Sequence, residues 1–279
     1  MNNLSNDMSI LYKTCFMYKN LWNPFFSLKQ KYFSDPNIKT FLCSDGNLDE
    51  YFKNNKLFDN VEFINYPGDA NNRGDLSNYT HRLLYYLEKI QHCYVLYWYD
   101  DMFLVNNVDI NKIEKSLELM KQNSNIKTIK LSTHSSPFNG DIYYKNNNFF
   151  LQKNATADLY CVNLQPSIFR KDFLIDLCKF LISNKMTNGG SSDIELHGTR
   201  YFNLNSNNIA LRSNINIVPI YDTGGIVSGG YINQSGLDFL KKENICIKIH
   251  DNFIYEKNEE HLNKISQYCF NLLKNKNLV

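Results

Sequence analysis

Apolar runs separated by polar turns recur along the first hundred residues of the chain. Four short runs have the length and the aromatic and β-branched content of strands: residues 8–15, 38–43, 61–66 and 94–98. Two longer segments, residues 22–32 and about 76–91, carry apolar residues at helical spacing. Residues 47–55 are predicted to form a short helical or irregular connection. Strands that alternate with helices are typical of a parallel α/β sheet.

Further strands and helices are predicted beyond residue 104. The predicted helices are at residues 111–122, 171–183 and 262–273, and a Gly-rich segment at 187–200 leads into another. The predicted strands are at residues 126–132, 160–168 and 215–221, with a hairpin at 143–152. Because no internal repeat or long linker divides the chain, we predict one α/β domain over residues 1–279. Its mixed, mainly parallel sheet is flanked by helices.

The fourth predicted strand is followed by charged residues that its burial does not explain. Two adjacent carboxylates, Asp100 and Asp101, follow the run YVLYWY. Open α/β sheets bind ligands at the carboxyl ends of their strands, and neighbouring anions repel unless a cation or a proton lies between them. Mg²⁺ and Mn²⁺ prefer oxygen ligands, and Mg²⁺ usually takes only one or two protein carboxylates. The pair therefore predicts a divalent-metal site, the alternative being that Asp100 caps the next turn and Asp101 is solvated.

Composition narrows the classes of function. The 279 residues include 30 Lys and Arg against 28 Asp and Glu, so the net charge of +2 shows no electrostatic footprint for nucleic acid or an anionic membrane. The seven cysteines form no CxxC pair or zinc spacing, and we predict that they are reduced packing residues. The amino-terminal sequence lacks the pattern of a signal peptide, and no run reaches the length of a membrane span. We therefore expect a soluble, cytoplasmic protein.

Four segments, in their order along the chain, resemble the nucleotide-diphosphosugar transferases of the GT-A (Rossmann-like) fold, especially the large inverting family. They are the turn Cys43-Ser44-Asp45-Gly46-Asn47, the loop Asn72-Arg73-Gly74 with the helix that carries His81 and Arg82, the strand YVLYWYDDMFL, and Gly189-Gly190-Ser191-Ser192-Asp193-Ile194-Glu195-Leu196. They look like the family's Asp-Asp-Gly-Ser turn, its Asn-x-Gly element, its metal-binding Asp-x-Asp strand and its acceptor loop. The resemblance implies a nucleotide-sugar-binding half at residues 1–105 and an acceptor-binding half at residues 106–279.

The resemblance implies a role for each residue of a donor site. Asp45 contacts the nucleotide base or ribose, and Thr14, near the end of the first strand, belongs to the same donor-binding set. Arg73 or Arg82 places a guanidinium group on phosphate oxygens, and Asp100 touches the ribose or the donor sugar. If the resemblance is set aside, the sequence predicts that Asp45 is a turn residue before a glycine and that Arg82 lies on a solvated helix face.

The metal ligands and the catalytic base are also implied by the resemblance. Asp101 holds Mn²⁺ or Mg²⁺, and His250, after the apolar run at 245–249, is a second metal ligand or a structural histidine. An aromatic residue replaces the usual first Asp of the metal motif, and Ser192 replaces the first acid of the Glu-Asp pair. The base is then Asp193 by position or Glu195 by chemistry, and we favour Asp193. Acids at the start of a helix also complement its dipole without any catalytic role.

The resemblance as a whole implies a glycosyltransferase of the hexosyltransferase type. It moves a sugar from a nucleotide-diphosphosugar to a hydroxyl of a glycan, lipid-linked or protein acceptor, with inversion and with Mn²⁺ or Mg²⁺. One alternative is a non-catalytic glycan-binding or scaffold protein on the same fold. Another is a sugar-phosphate nucleotidyltransferase, which is disfavoured because residues 13–23 contain no glycine for its phosphate loop.

Overall fold

The computed structural model describes most of the first 245 residues. The described residues are 4–45, 56–58, 60–67, 79–133, 140–146, 149–154, 160–187, 190–221, 227–228, 231–232 and 234–245. Contacts divide the chain into two compact units, Met1–Ile220 and Tyr221–Val279. In the second unit, the structure describes a short antiparallel hairpin, Val227–Ser228 with Tyr231–Ile232, and the helix Gln234–Lys242.

The first unit is built from nine strands and six helices within its described residues. The strands are β1 (Met8–Lys13), β2 (Thr40–Ser44), β3 (Val61–Asn65), β4 (Tyr94–Tyr99), β5 (Ile126–Lys130), β6 (Ile142–Lys145), β7 (Phe150–Lys153), β8 (Ser167–Arg170) and β9 (Ile209–Ser213). The helices are α1 (Leu4–Asp7), α2 (Lys19–Tyr32), α3 (Tyr79–Lys89), α4 (Ile110–Gln122), α5 (Lys171–Ser183) and α6 (Ser191–Asn203). Short 3₁₀ turns lie at Phe16–Tyr18 and Lys56–Phe58.

The nine strands form one sheet in the order β3-β2-β1-β4-β8-β5-β9-β7-β6. The first four strands of this order are all parallel to one another. The remaining pairings leave only β8 and β7 running in the opposite direction. The mixed, mainly parallel sheet with flanking helices that the sequence predicts is therefore confirmed.

The two central strands are buried on both faces, as their unbroken apolar runs predict. Every residue of β1 and all but the last of β4 are buried. On one face, Tyr12 and Trp98 pack around Phe25 of α2, with ring centroids 3.9 and 5.4 Å from that ring. The opposite face forms a core with α3, α5 and α6, whose members include Leu11, Tyr97, Leu83, Leu87, Leu174, Leu177 and Ile194.

Two predicted strands of the second half are wrong. The strand predicted at residues 160–168 begins only at Ser167, because Pro166 cannot donate to a ladder and the Asn163 side chain accepts the Gln165 N–H. The strand predicted at residues 215–221 is a partly buried loop, in which Ile217 N–H bonds to the Leu131 carbonyl and Ile220 forms an isolated bridge with Leu104. The actual strand is β9, which carries a buried arginine and therefore lacked the apolar signature.

Other predicted elements have their expected type, with small changes at the ends. The helix at residues 171–183 is confirmed as α5, and the hairpin predicted at 143–152 is β6 with β7. Helix α2 begins at Lys19 and continues through Pro24, so its predicted start is three residues late. The predicted helix at 262–273 and the Gly-rich loop after residue 221 lie outside the described residues. No helix among the described residues is both long enough and apolar enough to span a membrane.

We expect Gly198→Ala to destabilise the contact between α5 and α6. A Cβ atom at position 198 would lie 3.0 Å from Leu177 Cδ2 and 3.3 Å from two Val162 side-chain atoms. Both neighbours are fully buried, so the overpacking should outweigh the better helix propensity of alanine and lower the free energy of unfolding by about 1 kcal/mol. Urea denaturation measures the change, with Arg200→Ala on the exposed side of the same helix as control. An unchanged or increased stability would contradict this packing account.

Candidate active site at the carboxyl edge of the sheet

The centre of the sheet contains the point where its strand order reverses. The chain builds outwards from β1 to β2 and β3, and then returns to place β4 on the other side of β1. In open α/β sheets, ligands bind at such a switch point, in the crevice outside the carboxyl ends of the strands. The residues that directly follow β1 and β4 at this edge are therefore the first candidates for a ligand-binding site.

Asp100 is held at this switch point by a residue from the neighbouring strand. Thr14, directly after β1, donates a 2.6 Å hydrogen bond from Oγ1 to Asp100 Oδ2. Trp22 Nε1 donates to the same Thr14 oxygen at 2.9 Å, and Asp100 is only 8% exposed. The structure thus brings together the predicted donor-binding residues Thr14 and Asp100, and it shows Thr14 orienting the carboxylate. Trp22, which the sequence analysis did not assign to the site, orients Thr14.

Asp101 follows Asp100 in a turn that the Trp98 side chain holds in place. The buried Trp98 donates from Nε1 to the Met102 carbonyl at 2.7 Å, across the turn that contains both carboxylates. Asp101 is more exposed than Asp100 and is the member of the pair that a ligand can reach. Burial raises the pKa of Asp100, and burial together with the Asp100 charge raises the pKa of Asp101. Burial is the larger cause for both carboxyls, and for Asp101 the pair also stores electrostatic repulsion, which a bound cation or a proton would relieve.

The raised pKa values of these two carboxyls predict how stability depends on pH. A carboxyl whose pKa is higher in the folded protein binds more protons when folded, so the stability falls as the pH rises from the ordinary carboxyl range, near about 4, towards neutrality. Without divalent cations, we expect Asp101→Asn to raise the melting temperature at pH 8 by about 2–4 °C, corresponding to about 1 kcal/mol. At pH 5 the difference should shrink.

Scanning calorimetry in chelator at both pH values tests this expectation. Asp172→Asn removes an exposed carboxylate from the first turn of α5 and serves as the matched control. A melting temperature of Asp101→Asn that equals or falls below that of the wild type at pH 8 would contradict the stored repulsion.

A second pair of predicted residues lies at the end of β2. Asp45 Oδ1 accepts the Phe16 backbone N–H at 2.9 Å, and Asp45 Oδ2 forms a 2.7 Å ion pair with Arg82 Nη1 of α3. The two side chains are 18% and 14% exposed, so each still reaches the surface of the crevice. The loop after β1 is thereby tied to β2 and α3. The structure places Arg82 against a carboxylate of the site and not on a solvated helix face.

The amino terminus of α6 lies beside the end of β4. Tyr79 of α3 donates to the Tyr99 hydroxyl at 3.0 Å. The Ser191 side chain partly offsets the rise in the pKa of Tyr99 that burial causes. The Tyr79 hydroxyl also bonds to that of Tyr97. These tyrosines were not assigned to the site from the sequence, because aromatic residues in a strand indicate a core. They connect the carboxylate pair to the helix that carries both base candidates.

The two base candidates, Asp193 and Glu195, differ in environment. Asp193 is only 3% exposed, and its Oδ1 lies 3.7 Å from Nε2 of His197, one turn later. Glu195 is more exposed, accepts the Leu164 N–H at 2.9 Å, and has a pKa that burial raises. The Glu195 charge also contributes to the raised pKa of Tyr99, after burial and the Tyr79 charge. Glu195 is thus the more exposed of the two acids and the one whose pKa is raised.

The two carboxylates of the site are suitable ligands for a hard divalent cation. Asp100 and Asp101 offer carboxylate oxygens only, and Mg²⁺ is commonly held by one or two such groups plus substrate phosphates. Among the described residues, no cluster of three or more His, Cys, Asp or Glu side chains has metal-binding geometry. The predicted ligand His250 and the predicted phosphate contact Arg73 both lie outside the described residues.

Comparisons with known proteins give structural similarity only. No protein-family model and no curated protein sequence matches the chain. Among solved structures, S. aureus TarS 1–349 in complex with UDP is 10% identical with a TM-score of 0.46, over 78% of this chain and 60% of that one. The mannosyltransferase PcManGT from Pyrobaculum calidifontis, in complex with GDP-Man and Mn²⁺, is 8% identical with a TM-score of 0.39, over 61% of this chain and 46% of that one. The chain thus spans less than two thirds of either protein, and at these values the similarity assigns no activity to it.

Proposed function

We propose that this chain is a metal-dependent glycosyltransferase that moves a sugar from a nucleotide-diphosphosugar to an acceptor hydroxyl, with inversion. The observation that carries the proposal is the carboxylate pair Asp100 and Asp101 at the switch point of the sheet, with Thr14 fixing the inner carboxylate. A nucleotide diphosphate needs cationic neutralisation in this crevice, and two neighbouring carboxylates need a cation or a proton to offset their repulsion. Both needs are met by one bound Mn²⁺ or Mg²⁺.

Each residue of the site has a role in this proposal. Asp101 would hold the cation, which would supply Lewis-acid chemistry for the departure of the diphosphate. Asp100, held by Thr14, accepts a hydrogen bond from the ribose or the donor sugar. Asp45 and Arg82 line the nucleotide side of the crevice, where the guanidinium group can reach phosphate oxygens.

Glu195 is the proposed general base. In an inverting transfer, a carboxylate removes the proton of the acceptor hydroxyl as that oxygen attacks the sugar carbon from the face opposite the leaving diphosphate. Glu195 is the more accessible of the two acids on α6, and its raised pKa strengthens it as a base. Asp193 is the buried one and supports the start of the helix through the dipole.

A thermal-shift screen tests the proposal. The protein is measured with UDP-, GDP-, CMP- and dTDP-sugars, each with and without Mn²⁺, alongside Asp101→Ala. Because a ligand that binds only the folded protein raises the melting temperature, we expect a shift with one nucleotide class that requires both Mn²⁺ and Asp101. No shift with any donor would reject the transferase function and favour a non-catalytic protein on the same fold.

A further inference from the structure

Lys13 places a buried cation at the centre of the candidate site. It is the last residue of β1, it is 8% exposed, and it lies in register with Tyr99 of β4 and Cys43 of β2. The next residue along the chain is Thr14, which holds Asp100. Lys13 therefore belongs to the same switch-point edge as the carboxylate pair, although a lysine at the end of an apolar run gave no functional signal in the sequence.

The ammonium group of Lys13 rests on an aromatic ring. Its Nζ lies 4.4 Å from the centroid of Tyr79, whose hydroxyl is fixed by Tyr97 and Tyr99. A ring face attracts the charge but accepts no conventional hydrogen bond. Within the part of the chain that the structure describes, the Lys13 side chain donates no hydrogen bond to another residue. Among these residues, no hydrogen-bond acceptor competes with a ligand for its N–H groups.

The acids nearest to Lys13 already have partners. Asp45 bonds to the Phe16 N–H and to Arg82, and Asp100 bonds to Thr14. A buried lysine normally needs a hydrogen-bonded anion to offset its lost hydration. An anionic ligand bound beside Asp100 and Asp101 would supply that partner.

We infer that Lys13 binds the diphosphate group of the donor, by donating hydrogen bonds to its oxygens. An ammonium group is a compact point charge that pairs well with phosphate oxygens. The Tyr79 ring holds that charge in place before the donor arrives, which reduces the ordering cost of binding. This inference rests on the proposed function, because it names a further binding residue for the same donor.

Isothermal titration calorimetry of Lys13→Met tests the inference. UDP, GDP, CDP and dTDP are titrated in the presence of Mn²⁺, together with the four matching nucleosides. Losing a charge-assisted hydrogen bond should weaken diphosphate binding about tenfold or more, and nucleoside binding should not change. Lys13→Arg should retain most of the affinity. Lys39→Met, which removes a half-exposed lysine at the opposite edge of the sheet, is the matched control and should bind like the wild type.

The outcomes distinguish failure of this inference from failure of the proposed function. If the wild type binds one nucleoside diphosphate and Lys13→Met binds it within twofold, the inference is wrong and the proposed function stands. If the wild type binds none of the four, both are wrong. Should Lys13→Met fail to fold, Lys13→Gln replaces it, and unchanged nucleoside affinity then shows that the site is intact. A loss of diphosphate affinity that Lys13→Arg restores establishes the contact.

Discussion

Asp101→Asn should lower the Mn²⁺-dependent release of nucleoside diphosphate from the donor sugar by about 100-fold or more. This is the size of effect seen when one preorganised group that stabilises developing charge is removed from an active site. Asn keeps the volume of the side chain and removes the anionic oxygen that holds the cation. Asp101 is only partly buried and lies in a turn after β4, so the fold should survive the change. The measurement is chromatographic detection of the nucleoside diphosphate, with water as acceptor.

Asp172→Asn is the control for this prediction. It removes an exposed aspartate from the first turn of α5, where the Lys171 N–H bonds to the Cys93 carbonyl at the amino end of β4, away from the carboxyl edge. Its rate should equal that of the wild type. If Asp101→Asn hydrolyses the donor as fast as the control, the carboxylate pair does not hold the catalytic cation.

Glu195→Gln should reduce turnover by about 100-fold or more while leaving the affinity for the nucleoside diphosphate unchanged. General bases typically contribute between about 100- and 10,000-fold. Glu195 must be deprotonated to act, so the wild-type rate should fall as the pH falls through its raised pKa. The variant should lose this acidic limb of the pH profile. Steady-state kinetics across pH, combined with calorimetric titration of the nucleotide, separates the chemical step from binding.

Asp193→Asn provides the matched comparison on the same helix. Because Asp193 is buried and contributes to the helix terminus, its removal should change turnover by no more than about a factor of five, in line with a dipole interaction. The acidic limb of the profile should remain. The opposite pattern, in which Asp193→Asn abolishes turnover and Glu195→Gln does not, would assign the base to Asp193.

The parallel half of the sheet could be predicted because its strands are simple. Strands β1 and β4 are unbroken apolar runs that end at polar residues, so both their burial and the position of Asp100 and Asp101 follow from the sequence. The turn at Asp45 is predicted in the same way, because it also follows an apolar run. Strand β9 could not be recognised in this way, because Arg212 is buried within it and interrupts the apolar pattern.

The contacts of the site depended on information that a single sequence does not contain. The bond between Thr14 and Asp100 joins residues 86 positions apart, and it exists only because β1 and β4 are neighbours in a particular register. The same register places Lys13 beside Tyr99. The choice between Asp193 and Glu195 depends on how deeply the packing of α6 buries each acid, which a single sequence does not show.

The most direct test of the site is a crystal structure of the protein soaked with Mn²⁺ and the nucleoside diphosphate that stabilises it, with data collected at the manganese absorption edge. We predict an anomalous peak at coordination distance, about 2 Å, from an Asp101 carboxylate oxygen, with the diphosphate bridging the ion and the Lys13 ammonium group. A nucleotide bound at another edge of the sheet, or a manganese ion that does not contact Asp101, would contradict the account.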